Sequence, residues 1–403
     1  MRNNTDITSL CQALAAHPDV QLMQALATAL GGEARLVGGV VRDAVLGTLD
    51  LDGALDLDMA VNLPIATFAD AARERGYRVI ETGLAFGSVT IIADTHPIEV
   101  TQTRADLETD GRHATIGFQP DWLEDAKRRD FTMNALYLQS DGQLYDPLGG
   151  CDDIAARCLR FIGVPQDRIA EDYLRILRAI RFLATYPSFT MPAADYAALQ
   201  AAKQGVASLS AERKGHELRR LLRGAAWRQA LGHLHDLGLD EAAYQVPFLS
   251  RPACDEALPD EMARLAATLT PSDIPALDHA MRLSKAEKAA LTAYLMPLTD
   301  EVLAGLAGEV WQQLAYHAPQ QIAVQAALAF NRTDPYPSVA RLRQIAHFSP
   351  PPCPVTGHDL IEAGIEPGVA LGAALQEAEA LFIASRFTAT TAELVAQLRD
   401  KTA

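Results

Sequence analysis

Leu36-Val37-Gly38-Gly39-Val40-Val41-Arg42-Asp43-Ala44-Val45-Leu46-Gly47 and, a short acidic linker later, Asp56-Leu57-Asp58-Met59-Ala60-Val61 form the stretch on which the reading of this chain turns. A short apolar run that meets two glycines and passes into Val40–Leu46 predicts a strand, a glycine turn and the first turns of a helix. Glycine lets backbone N–H groups approach an anion, and the helix N-terminus behind it adds partial positive charge. Arg42, in that first turn, offers a fork of donors suited to phosphate. Asp56-Leu57-Asp58 predicts a strand that points both carboxylates to one face while Leu57 turns to the core. Paired carboxylates repel each other and raise a pKa unless a cation lies between them. Hard oxygen ligands suit Mg²⁺, which keeps waters and takes substrate phosphates into its shell. Taken singly, Gly38–Gly39 reads as an ordinary turn and the Asp-x-Asp as an exposed strand end. Together, at this spacing, they point to nucleotidyl transfer.

The chain of 403 residues is long enough for two or more domains with ample core. No segment approaches the roughly 20 apolar residues that span a bilayer, and Met1-Arg2-Asn3-Asn4-Thr5-Asp6 lacks a secretory pattern. The five cysteines (Cys11, Cys151, Cys158, Cys254, Cys353) are odd in number and form no C-x-x-C pair. A reduced cytoplasmic protein without structural zinc or disulfides is the expectation. Net charge is −16, but it is unevenly spread. Residues 1–150 carry −11 and residues 231–403 carry −10, whereas residues 151–230 hold 13 Lys/Arg against 8 Asp/Glu. A basic middle between acidic ends reads either as a local footprint for RNA or as a solvated basic helix surface.

Leu10, Leu14, Leu22, Leu26 and Leu30 predict one helix over 7–31, stopped by Gly31–Gly32. A helix over 65–76, strands over 77–81, 88–92 and 98–101, and a helix over 121–127 follow. Past about residue 147 the strand pattern ends, and alanine- and leucine-rich helical patterns continue between proline breaks, the last over about 370–398.

Glu99 sits in a strand context with Arg104 just after it, and is either a third carboxylate for the site or a surface strand residue. Residues 104–118, charged and without clear periodicity, read as a mobile loop in which Arg112 can reach phosphates. In Arg128-Arg129-Asp130-Phe131-Thr132-Met133-Asn134, Arg129 is a candidate for holding triphosphate, Asp130 for orienting it or capping a helix, and Asn134 for a sugar hydroxyl. Asp146-Pro147-Leu148-Gly149-Gly150 makes a closing turn. In the run 168–182, helical spacing places Ile169, Tyr173, Ile176, Ile180 and Leu183 on one arc and Glu171, Asp172, Arg175, Arg178 and Arg181 on the other. That second arc is a salt-bridged surface or a device for reading a base, since a carboxylate accepts and a guanidinium donates along a Watson–Crick edge.

In this order, L-V-G-G-V-V-R-D, D-L-D, I-E-V-T, R-R-D-F-T-M-N-A, D-P-L-G-G and E-D-Y-L-R-I-L-R-A-I-R-F resemble the class II tRNA nucleotidyltransferases, the CCA-adding enzymes, over about residues 34–230. The resemblance implies an α+β fold. Residues 1–150 would be a small mixed-sheet head, 151–230 a helical neck, and 231–403 a helical body and tail, seahorse-like in outline. It implies Mg²⁺ on Asp56 and Asp58, with Glu99 in the catalytic set. CTP or ATP would lie against Gly38, Gly39, Arg42, Asp43, Arg129, Asp130, Asn134, Arg178 and Arg181. Asp172 and Arg175 would select the base without a nucleic-acid template, and Arg104 and Arg112 would belong to the flexible loop. The tRNA 3′-hydroxyl would attack the α-phosphate, with pyrophosphate leaving. The loop at 104–118 is full length, unlike that of CC-adding relatives, and the acidic 231–403 segment is unlike the basic tail of poly(A) polymerases. An A-adding or poly(A)-tailing relative and a non-catalytic RNA-binding one are the alternatives. His235-Asp236, in a helical setting without partner histidines, and His358-Asp359, in a loop-like one, do not make the phosphohydrolase module that some relatives carry.

Overall fold

The computed structural model describes residues 4–51, 53, 55–81, 83–84, 87–93, 96–109, 114–118, 120–249, 253, 255, 258–329 and 336–402. Its N-terminal pattern folds as two helices, α1 (Asn4–Ala15) and α2 (Pro18–Ala29), where leucine spacing predicts one. Pro18 has no N–H and holds the preceding residue extended, so His17 (φ −60°, ψ 132°) breaks the helix and Pro18 starts the next.

Strand β1 (Ala34–Val37), helix α3 (Gly39–Leu46), β2 (Leu57–Val61), helix α4 (Ile65–Glu74), β3 (Arg78–Ile80), β4 (Ser88–Ile92) and β5 (Pro97–Gln102) follow the predicted order. Helix α4 buries Ile65, Phe68, Ala69 and Ala72, the 3–4 spacing of a single apolar stripe. The strands enter a mixed sheet of order β3-β4-β5-β2-β1-β8-β9, where β8 is Tyr137–Leu138 and β9 is Leu144–Tyr145. Strands β2 and β5 pair in parallel, with Asp58 opposite Glu99, and the remaining pairs are antiparallel. The run 104–118, which lacks periodicity in sequence, is a β-hairpin of β6 (Arg104–Thr109) and β7 (Ala114–Phe118) outside the main sheet. A register shift between Asp106 and Glu108 explains why its alternation is unreadable. Arg112 lies outside the described residues.

Helix α5 (Trp122–Lys127) is capped by Asp121, whose carboxylate accepts from the Leu123 and Glu124 N–H groups. From α6 (Gly150–Ala155) the chain is helical, through α7 (Pro165–Glu171), α8 (Leu174–Thr185), α9 (Ala193–Ala201), α10 (Ala211–Arg223) and α11 (Trp227–Asp236). The 168–182 pattern is therefore two helices, not one. Asp172 is extended (φ −154°, ψ 105°) between α7 and α8, and its Oδ1 accepts the Leu174 N–H at 3.0 Å, the local bond by which Asp competes with a helix. Residues 1–243 form one compact unit and residues 244–403 a second.

The second unit is all helix among its described residues. The predicted terminal helix is two, Val369–Ala384 and Thr391–Thr402, and they bury Ala378, Phe382, Leu394 and Leu398 with Val355 and Leu360. His358-Asp359 lies in the short helix Gly357–Glu362, not in a loop, with Asp359 completing a capping box on Thr356. No described helix is long and apolar enough to cross a membrane.

The D-P-L-G-G turn fixes how α6 meets the sheet end. Asp146 accepts the Gly150 and Cys151 N–H groups, both at 2.8 Å, and Gly149 takes the left-handed conformation (φ 75°). A Cβ on Gly150 would stand 2.4 Å from the Thr132 carbonyl oxygen. Gly150→Ala is therefore expected to destabilise the chain by about 1–3 kcal/mol, the cost of an overpacked contact. A denaturant midpoint equal to wild type would show that the Thr132 turn yields instead.

Candidate active site

Asp56 ends the linker just before β2 and is exposed, while Asp58, on the strand, is partly buried. Burial first, and then the charges of Asp56 and Glu99, push the Asp58 carboxyl up to about 7, against the opposing pull of Arg129 and Arg220. The parallel register puts Glu99 beside Asp58, so the tertiary structure assembles the third carboxylate from a separate strand. Asp56 and Asp58 in the cleft lining, with Glu99 paired to Asp58 on the neighbouring strand, offer the hard oxygen ligands that a divalent cation takes. A Cβ on Gly38 would lie 3.8 Å from an Asp58 carboxylate oxygen, and Gly38 caps α3 with φ 76° and ψ −129°, a conformation open to glycine.

Around Asp56 and Asp58, with Glu99 outside its lining, lies a cleft of about 500 Å³ whose described lining includes eight arginines and four aspartates. Such a surface on a chain of net charge −16 is built for a polyanion. Arg42 donates to Asp43 at 3.0 Å and to Asn134 at 2.9 Å, and packs over Phe182 and Tyr186 at 5.3 Å from each ring centre. Asp43 also accepts from the Tyr186 hydroxyl at 2.8 Å, so it positions Arg42 and does not itself line the cleft. Asn134 is buried at the cleft wall, where its amide joins Arg42 to Asp130 and keeps one N–H and one lone pair unused by these two bonds. Asp130 accepts from Asn134 and the Phe131 N–H at 2.9 Å and from Arg178 Nε at 2.6 Å. Burial would raise its pKa, but Arg178 and these donors hold it below the usual range.

Arg181 departs from the sequence reading. It is buried on α8 and paired to Glu217 of α10 at 2.6 Å, not exposed on a polar arc, although it still contributes to the cleft wall. Burial brings its pKa down to about 10 despite Glu217. Arg175 donates to the backbone carbonyls of Arg168 (2.7 Å) and Arg128 (2.8 Å) and to Glu171 (2.6 Å), bonds that fix the plane of its guanidinium. Asp172 accepts from Arg213 of α10 at 2.7 Å. Arg104 lies at the foot of the hairpin, outside the cleft lining.

Asp125 is the residue that reading the sequence missed. It is 1% exposed and accepts from Arg128 Nε (2.9 Å), Arg129 Nη2 (2.9 Å), the Tyr137 hydroxyl (2.8 Å) and the Arg104 N–H (3.3 Å). Burial alone would raise its carboxyl, but Arg129, Arg128 and Tyr137 hold it at about 2. Its only signal in sequence is a position three and four residues before two arginines, the spacing of one helix face. Arg128, Arg213, Arg220, Leu174 and Phe182 also line the cleft without having been singled out. A larger hollow of about 750 Å³ in the second unit is lined mainly by alanine, proline and glutamine, and has no comparable cluster of charge.

A mixed sheet carrying clustered carboxylates under an arginine-lined cleft defines a nucleotidyltransferase head. Residues 34–160 match the poly A polymerase head domain family. Along nearly its whole length the chain is 31% identical to the CCA-adding enzyme of Levilactobacillus brevis, covering 92% of this chain and 94% of that protein. It is 30% identical to mitochondrial CCA tRNA nucleotidyltransferase 1 of Mus musculus, over 86% of this chain and 81% of the relative. The solved Bacillus stearothermophilus CCA-adding enzyme in complex with CTP superposes with a TM-score of 0.67 at 25% identity, over 96% and 98% of the two chains. The chain belongs to the CCA-adding enzyme family, and it is a nucleotidyltransferase.

Two outcomes follow from the charges. A divalent ion held by Asp58, whose carboxyl is pushed up to about 7, would compete with the proton there. Divalent-ion affinity of the nucleotide-free protein should therefore fall roughly tenfold per pH unit below that value and level off above it. Calorimetric titration across about pH 5 to 8 reads this directly, and a flat affinity would contradict it. Asp125→Asn keeps the shape but removes the charge that Arg128 and Arg129 share. KM for nucleotide should rise about tenfold or more, with a smaller fall in kcat. An unchanged KM would reduce Asp125 to packing.

Proposed function

We propose that this chain adds C, C and A to the 3′ end of tRNA from CTP and ATP, without a nucleic-acid template. The observation that carries the reading is the convergence of two unlike groups in one cleft. Asp56 and Asp58 line it at the sheet end, with Glu99 beside Asp58 on the neighbouring strand, and the Asp172–Arg175 pair stands at the junction of α7 and α8 among arginines.

Asp56 and Asp58 would hold the divalent ion, Mg²⁺ by the hardness of their oxygens, with Glu99 beside Asp58. Bound there, it would supply Lewis-acid stabilisation of the phosphates and ease deprotonation of the attacking hydroxyl. The N–H groups at Gly38–Gly39 and the start of α3 face the anion, and Arg42, Arg129 and Arg178 grip the triphosphate. Arg181, tied to Glu217, adds positive field to the cleft wall. The tRNA 3′-oxygen bonds to the α-phosphorus as the bond to pyrophosphate breaks. The hydroxyl proton passes to the carboxylate cluster or to solvent.

Cytosine and adenine each present an exocyclic amine beside a ring acceptor. Asp172 accepts from the amine and Arg175 donates to the acceptor, whereas uracil would set a carbonyl against the carboxylate. For Asp172 to read a base it must exchange Arg213 for the nucleotide, and the partial exposure of that ion pair permits this. The division into head (1–150), neck (151–230) and tRNA-holding body and tail (231–403) belongs to the same reading. So does a cytoplasmic setting, in keeping with the free thiols of Cys11, Cys151, Cys158 and Cys353.

The test offers tRNA ending at the discriminator base, at C or at CC, with each nucleotide alone and with both. Completion of CCA from the shortest end is expected. Addition of A alone to the CC end would indicate an A-adding relative, and a long A tract a tailing one. Asp58→Ala should abolish all three additions, whereas Asp172→Ala should lower the rate and admit UTP or GTP. An unpaired buried polar group costs roughly 1–3 kcal/mol, hence about ten- to a hundredfold in discrimination. An unchanged preference for CTP and ATP in Asp172→Ala would remove it from base selection.

A further inference from the structure

We propose that His17, Asp19 and His96 form a second metal site, for a zinc-class transition ion, that clips the start of α2 to the residue leading into β5. None of the three lines the catalytic cleft. Each offers one ligand atom, and these atoms lie within 4.8 Å of one another. The geometry between Asp19 and His96 is the informative part. Asp19 Oδ2 accepts the His96 backbone N–H at 3.0 Å, yet stands 3.5 Å from Nδ1 of the His96 ring. That second distance is long for a hydrogen bond, whose range is about 2.7–3.2 Å. It is close to the edge of a tetrahedron with bonds of about 2.0–2.1 Å, which is roughly 3.3 Å. Nδ1 of His17 is buried with no hydrogen-bond partner, a lone pair that an ion would use. The rings of His17 and His96 meet edge to face at 5.4 Å, so neither is stacked beneath the other.

The donor set selects the ion. Two imidazoles and one carboxylate suit zinc, whereas Mg²⁺ and Ca²⁺ prefer all-oxygen shells. Three protein ligands leave a fourth position for water. The carboxylate of Asp19 in the first turn of α2 offsets the positive helix end, which would otherwise oppose a cation. Cysteine spacing argued against structural zinc, but this set uses no cysteine. Asp19 and His96 are 77 residues apart, so no short motif announces the site. Its consequence for the enzyme is positional, because His96 immediately precedes β5, the strand that carries Glu99.

The experiment uses the full chain carrying Asp56→Ala and Asp58→Ala, to silence the cleft, stripped with chelator and then dialysed against Zn²⁺. After desalting, one zinc per chain is expected by elemental analysis, with a rise in the thermal transition over the metal-free sample. His17→Ala and His96→Ala, each compared with its own metal-free transition to exclude misfolding, should retain less than a tenth of that zinc and lose the rise. Co²⁺ substitution should give the visible bands of a four-coordinate site without a thiolate charge-transfer band. Absence of retained zinc, retention undiminished in both histidine variants, or a thiolate band would each overturn the proposal.

Discussion

Mutual repulsion among guanidinium groups is the constraint on which the catalytic unit depends. Two such charges about 7 Å apart repel by roughly 2 kcal/mol at an effective dielectric of 20, and eight line one cleft. The fold meets this by placing carboxylates behind the arginines. Asp125 stands behind Arg128 and Arg129, Asp130 behind Arg178, Glu217 behind Arg181, Asp43 beside Arg42 and Glu171 beside Arg175. Phe182 adds an aromatic face against Arg42, Arg178 and Arg181. The arginines are thereby held in fixed directions while the cleft wall, with eight of them against four aspartates, stays positive.

The same pairing joins the sheet to the helices. Asp130 belongs to the segment that follows α5, yet its partner Arg178 is on α8. The Arg128 carbonyl receives Arg175, so one dipeptide both lines the cleft and fixes the direction of an arginine on α8. Asp125 reaches further, since it accepts the N–H of Arg104 at the first residue of the hairpin. A shift in that hairpin would be felt at the arginines through one carboxylate. Site and packing are here the same set of bonds.

How much of this was legible in the chain depends on how local the physics is. The glycine turn, the Asp-x-Asp strand and the α+β order are local, because backbone conformation and side-chain alternation are set within a few residues. The missed features are those in which a local rule was overridden. Pro18 divided an otherwise continuous leucine pattern, and Asp172 bonded its own backbone and divided another. Arg181 satisfied the polar face of the helical wheel but was drawn inward by Glu217, which lies 36 residues away in the chain. Asn134 lines the cleft, and its tie to Arg42, 92 residues earlier, has no local signal.

The sequence by itself determined the chemical alphabet of the site. It specified a phosphate-approachable turn, an Asp-x-Asp pair at one strand, and a run of arginines that reads as an RNA footprint or as a salt-bridged surface. Motif order then placed the chain in its family. Only the tertiary structure decided which of those groups work together. The parallel register of β2 and β5 brought Glu99 to Asp58, α10 supplied Arg213 and Arg220, and burial turned Asp125 from a helix-surface acid into the common acceptor of two arginines and a tyrosine. The reason is that charge–charge and hydrogen-bond energies depend on distance in space and on exclusion of water, and neither quantity is written in the order of residues.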